Sequence, residues 1–156
     1  MAMDPIARGL ALRGWTDVLG TFTGSPVVNN VFWPSSAKEV QLFVRNVTQS
    51  GSGLLALKFS IDGQNFLNGA SDLTIENPDG TETPTSALAM FNTATTLARS
   101  GRCLVSPANG AGPKGIFIYS RPLVARYDGA APLVGAQLYS TILGNVSGGS
   151  FLARWR

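Results

Sequence analysis

The chain has no histidine among its 156 residues. That removes the commonest general base, the Ser-His-Asp and Cys-His arrangements, and the usual zinc and iron ligands. Cysteine is almost as scarce. Cys103 stands alone, so neither an intrachain disulfide nor a thiolate metal cage can form, and its expected place is a small site in the core. Charge is thin as well, at 13% of residues against the roughly 25% usual for soluble domains. A monomer keeps itself soluble with surface charge, so the shortage points to a surface that meets other protein; the rival reading is a polar, uncharged free surface. Apolar runs are short. None approaches the ~18 residues of a membrane helix, and no basic-then-apolar leader opens the chain, so manufacture in a cytoplasm is expected. Asn46-Val47-Thr48 and Asn145-Val146-Ser147 match the glycosylation acceptor pattern, which is read as chance without such a leader.

The charge that is present is unevenly spread. Residues 1–82 carry five basic and eight acidic side chains, and residues 83–156 carry seven basic and one acidic, Asp128. Two halves of opposite sign could complement each other between neighbouring copies. Nucleic-acid binding is disfavoured, because Arg99, Arg102, Lys114, Arg121, Arg126, Arg154 and Arg156 are scattered and no aromatic single-strand motif interleaves them.

The strongest local pattern is Leu54–Phe66. Leu55, Leu57, Phe59 and Ile61 fall on every second residue, which sends them to a core and leaves Lys58 and Ser60 outside. Asp62-Gly63 then supplies a tight turn. Val40, Leu42 and Val44 alternate with Glu39, Gln41, Phe43 and Arg45. Residues 39–48 and 54–61 therefore read as a hairpin across Gln49–Gly53.

Further strands are expected at Arg102–Ser106, Ile116–Tyr119, Leu138–Leu143 and Phe151–Trp155, with Gly148-Gly149 turning between the last two. Leu123–Tyr127 follows Pro122 and should lie at an edge or begin after a bend. Residues 68–86 read as a long loop or exposed hairpin, and residues 86–99 lean to extended structure. At the N-terminus, Asp4 and Pro5 can start a short helix that Gly14 ends. Such a helix is too short to hold itself and must dock through Ile6 and Leu10. The expected fold is all-β: an antiparallel β-sandwich or jelly-roll-like domain over 15–156, preceded by a helical or extended arm at 1–14.

Asp62, Asp72, Glu76, Asp79 and Glu82 crowd together, but in a turn-rich stretch that leaves them in water, and Asn77 stands where a calcium loop needs glycine. Asn109–Gly115 lacks the frame of a phosphate cradle, and Pro113 removes an amide that a phosphate would need. Lys38, Lys58 and Lys114 have no Schiff-base motif around them. No catalytic residue, cofactor or metal site is expected. The three tryptophans and three tyrosines could stack on sugars, although core or interface anchors are the commoner use. Ala153-Arg154-Trp155-Arg156 combines the residue types enriched at binding hot spots; the segment is either an arm that reaches a neighbour or the last strand of the fold.

With those residues in view, the chain resembles small bacteriophage virion proteins. The opening Met-Ala-Met-Asp-Pro-Ile-Ala-Arg-Gly-Leu-Ala-Leu-Arg is similar to starts among phage structural proteins. Val40–Phe66, with Val44-Arg45-Asn46 and Phe59-Ser60-Ile61-Asp62-Gly63-Gln64-Asn65-Phe66, is similar to strands of phage decoration and tail β-sandwiches. The resemblance covers about a quarter of the chain. It implies a non-enzymatic subunit of the virion, a capsid decoration (cement) protein or else a tail, collar or fibre component. The implied partners are the major capsid protein, other virion proteins and further copies of the chain, with no membrane. The interface residues would be Ile6, Leu10, Arg154, Trp155 and Arg156. A carbohydrate-binding β-sandwich module is the alternative from another class.

Overall fold

A computed structural model of the chain describes residues 14–22, 29–50, 54–91, 97–141 and 145–156. These residues form two antiparallel sheets and no helix. The strands are β1 (Thr16–Thr21), β2 (Asn29–Phe32), β3 (Val40–Ser50), β4 (Leu55–Ser60), β5 (Leu73–Glu76), β6 (Glu82–Thr85), β7 (Leu88–Ala89), β8 (Arg99–Ser106), β9 (Lys114–Ile118), β10 (Leu123–Tyr127), β11 (Gly135–Ser140) and β12 (Asn145–Trp155). The larger sheet has eight strands in the order β1-β12-β3-β8-β9-β10-β5-β6. The smaller has four, in the order β2-β11-β4-β7. The molecule is an all-β antiparallel sandwich. The expected arm lies, apart from Gly14, outside the described residues, and so do Ile6 and Leu10.

Period-two alternation builds the core. Val40, Leu42 and Val44 of β3, Cys103 and Val105 of β8, Ile116 and Ile118 of β9, and Ala153 of β12 all point inward and are buried. Leu55, Leu57 and Phe59 of β4 and Leu138 of β11 enter the same core from the smaller sheet. Cys103 is among them, and burial pushes its thiol up to about 12.

The hairpin expected from residues 39–48 and 54–61 does not form. β3 pairs with β12 and β8, whereas β4 pairs with β11 and β7 in the other sheet. Each strand has a wholly apolar inward face, and placing them in opposite sheets covers both faces at once. Ser60 is not outside either. It is fully buried, with its hydroxyl accepting the Gly63 N–H at 3.0 Å and so closing the Asp62–Asn65 turn. Ile61 is half-buried and packs on the core. Residues 68–86 include an exposed hairpin of β5 and β6. β10 begins after a bend and lies inside the sheet, between β9 and β5.

Gly148-Gly149 does not turn between two strands; it lies within β12. There the register with β3 shifts twice, while β3 and β8 shift between Val44 and Val47. Gly149 sits at φ +107°, and a Cβ there would meet Arg45 O and Val47 Cα at 2.8 Å. Asn46 opposite takes φ 51°, and its N–H donates to Ser100 Oγ at 3.1 Å. These facing irregularities fall in β3 and β12, the two longest strands at 11 residues each, and a bulge of this kind locally raises the twist of its strand.

Residues 128–134 carry the chain from the large sheet to the small one and are tied down at several points. The Trp33 N–H donates to Val134 O at 3.0 Å, and the Trp33 indole to Leu133 O at 2.6 Å. Val134 N–H reaches Ser60 O at 2.8 Å and Leu133 N–H reaches Ala108 O at 2.9 Å. Lys114 points into the molecule, fully buried, with Nζ 2.6 Å from Gly129 O.

Candidate functional site: the outer face of the large sheet

The inward rows of the large sheet make the core, so the other phase of the same alternation faces out. Register fixes what stands beside what. Leu19 of β1 lies opposite Leu152 of β12, Leu152 opposite Phe43 of β3, and Phe43 opposite Arg102 of β8. The next row reads Asp17, Arg154, Gln41, Leu104, Phe117, Val124 and Glu76. An antiparallel sheet with one wet face normally shows polar residues there. Here the middle of the face is apolar. Leu19 is 71% exposed, Tyr119 52% and Val124 38%, while Phe43, Leu104, Phe117 and Leu152 are half-buried among their neighbours. Leu19, Phe43, Arg45, Ser150, Phe151 and Leu152 line a hollow of about 140 Å³.

Charged clusters frame this apolar field. At one end the guanidinium carbons of Arg154 and Arg156 lie 5.3 and 4.7 Å from the Trp15 ring centroid. Arg154 also bonds Asp17 at 3.2 Å, and Arg156 bonds Glu39 at 2.8 Å. Glu39 accepts from Gln41 and pairs with Arg156, and these two contacts hold its carboxyl below the usual range. Within the face, in the same row as Phe43, the Arg102 guanidinium carbon lies 4.1 Å from the Tyr119 ring centroid. Toward the β5–β6 edge, Arg126 bonds Glu76 at 2.9 Å, Glu82 at 2.8 Å and Asp128 at 3.0 Å. Those carboxylates hold the guanidinium firmly protonated, and Arg126 in turn lowers the Glu82 carboxyl.

The residues singled out at the C-terminus divide between two faces. Residues 153–155 belong to β12, inside the sheet between β1 and β3, so this end is the last strand and not an arm. Arg154 and Arg156 stand on the outer face with Trp15. Trp155, on the opposite side, is half-buried and packs on the core. What sequence reasoning missed is the apolar field. Its signal was Phe43, an aromatic residue on the outward phase of an otherwise clean alternation.

Other candidate chemistry resolves into structure. Asp62 accepts N–H groups of Gln64 and Asn65 at 2.9 and 2.8 Å, and these bonds with the Asn65 side chain depress its pKa. Asp72 accepts from Gly69 N–H, and Asp79 from Thr81. Each closes its own turn. Among the described residues no group of three His, Cys, Asp or Glu is placed to hold a metal ion. Lys114 faces Gly129 and the Tyr127 ring, not the 109–115 loop, so that loop lacks a cation to offer a phosphate. Of the rings able to stack on a sugar, Trp33 is buried, Trp15 lies under two guanidinium groups and Tyr119 under one.

No family model matches the chain, and no curated protein matches it in sequence. Among solved structures it is similar to the galectin LEC-6 of Caenorhabditis elegans, with 11% identity, TM-score 0.43, and coverage of 87% of this chain and 95% of that one. It is also similar to a carbohydrate-binding module from Bacillus subtilis, with 13% identity, TM-score 0.40, and coverage of 89% and 91%. A pilus protein of Bacillus endospore appendages aligns at 12% identity and TM-score 0.30, with coverage of 90% and 85%.

Proposed function

We propose that the chain is a non-enzymatic structural subunit of a bacteriophage virion, a capsid decoration protein that lays the outer face of its large sheet on the major capsid protein. The observation that carries this reading is the apolar field of Leu19, Leu152, Phe43, Leu104, Phe117 and Val124, framed by charge, on a face that water would otherwise keep polar. The low share of charged residues and the likeness of Val40–Phe66 to strands of phage decoration proteins point the same way. So do Arg154 and Arg156 against Trp15 and Arg102 against Tyr119, since Arg and aromatic residues are the anchors of protein interfaces. Function would then be bridging: a rigid sandwich repeated by symmetry adds many modest contacts, and the lattice holds by avidity. The chain has no histidine, and its described carboxylates close turns or pair with arginine, which suits a structural subunit.

The test is to purify particles from cells that carry the gene and quantify peptides of this chain against those of the major capsid protein. A fixed ratio that survives repeated gradient purification supports the reading. Absence of the chain from particles refutes it, and binding of the purified chain to a glycan panel would then favour the carbohydrate-binding alternative.

A further inference from the structure

The two sheets expose four edges, and three of them are closed to further pairing. β6 carries Pro84, which has no N–H to give, and the charged Glu82. β7 is two residues long. β2 has four residues, and its exposed Phe32 already stacks on Phe66 at 5.9 Å between ring centroids. β1 differs. It runs for six residues, Thr-Asp-Val-Leu-Gly-Thr, with neither lysine nor proline. Its one charge, Asp17, is neutralised within the chain by Arg154, and that carboxylate side chain is only 9% exposed. Among the described residues β1 pairs with β12 alone. Among the described residues this edge has none of the usual devices against strand addition.

The sequence of β1 also specifies what suits it. The Phe22 N–H donates to Gly149 O of β12 at 3.0 Å, which continues the β1–β12 register. Hydrogen bonding in an antiparallel ladder alternates along the strand, so Val18 and Gly20 face β12, and the backbone groups of Asp17, Leu19 and Thr21 face the open edge. A second β1 laid antiparallel about a two-fold at Leu19 sets Leu19 against Leu19 and Asp17 against Thr21 of the other copy. All three residues then both donate and accept. On the inner side, Val18 comes beside Gly20, whose Cβ position is filled by the Phe151 ring, so the bulkier residue meets the one with no side chain. Moving the two-fold to Val18 would lose one pair of partners and set Asp17 against Leu19.

We infer that β1 is a homodimerisation edge: two copies pair β1 to β1 about a two-fold at Leu19 and join their eight-stranded sheets into one. The pairing makes Phe43, Leu152 and Leu19 of one copy continuous with Leu19, Leu152 and Phe43 of the other, so the 71% exposure of Leu19 ends at the axis. The inference stands apart from the particle reading, since it concerns the purified chain alone.

Light scattering of the full chain over a range of concentrations should give twice the chain mass at the upper end. Leu19→Lys should give a monomer with an unchanged circular dichroism spectrum, because two ammonium groups would meet at the axis while the fold loses only an exposed side chain. Leu19→Cys should cross-link to a dimer on mild oxidation, since residues in a hydrogen-bonded pair have Cα atoms about 5.5 Å apart, within disulfide reach. Val124→Cys, on the same face but inside the sheet, should not, and the buried Cys103 should stay reduced. A monomer at every concentration, or a dimer that persists in Leu19→Lys, overturns the inference.

Discussion

Replacing Trp33 by Phe tests whether residues 128–134 are tied to the smaller sheet as strongly as their hydrogen bonds imply. Trp33 is 4% exposed, and its indole N–H is the buried donor to Leu133 O at 2.6 Å. Phe keeps most of the ring but not the donor. A buried carbonyl left without its partner costs about 1–3 kcal/mol. Phe is also smaller by roughly 40 Å³, which at about 24 cal/mol per Å³ of residual cavity adds about 1 kcal/mol. The expected loss is therefore about 2–4 kcal/mol. With a urea m-value of about 2 kcal/mol/M, that moves the midpoint down by about 1–2 M. The assay is urea unfolding followed by far-ultraviolet circular dichroism, with m compared between the two proteins to confirm that only stability changed. Trp155→Phe is the control. Its ring packs at the margin of the core, and its midpoint should fall by less. A Trp33→Phe midpoint within about 0.2 M of the parent would mean that the indole bond to Leu133 does not hold this segment.

Two further outcomes follow from the packing. Burial lowers the Lys114 pKa from its ordinary 10.5, so the unfolded chain holds this proton at pH values where the native chain has released it. Stability should then rise with pH between the native value and 10.5, and unfolding titrations of Lys114→Met should lack that rise. Gly149→Ala should cost at least about 2 kcal/mol, since φ +107° is a glycine region and the new Cβ meets backbone. Gly148→Ala, whose Cβ meets only the Thr48 hydroxyl at 3.1 Å, should cost less than about 1 kcal/mol; thermal melts of the pair decide.

The strands were legible in sequence wherever alternation was clean, as at Val40–Val44 and Leu55–Phe59, because one buried face imposes the period directly. Pairing was not. Residues 39–48 and 54–61 looked like a hairpin because they are adjacent and equally apolar, and nothing local says that two such faces are better covered by facing each other across a core. Glycine marks turns and bulges alike, so Gly148-Gly149 looks like a turn in the sequence, and only the register of β3 against β12 separates the two. Lys114 gave no sign of its burial, since its acceptor is the backbone of Gly129, fifteen positions further on. Arg154 and Arg156 were picked out by residue type. Their association with Trp15 depends on β1 lying beside β12, a pairing across most of the chain.

The claim that the outer face of the large sheet is the docking surface is tested most directly by hydroxyl-radical footprinting of the free chain and of the chain in purified particles. Phe43, Leu104, Phe117, Tyr119 and Leu152 are expected to lose most of their reactivity in the particle, while Phe32 on the smaller sheet keeps its own. Equal labelling of the outer-face residues in the free and particle-bound states would contradict it.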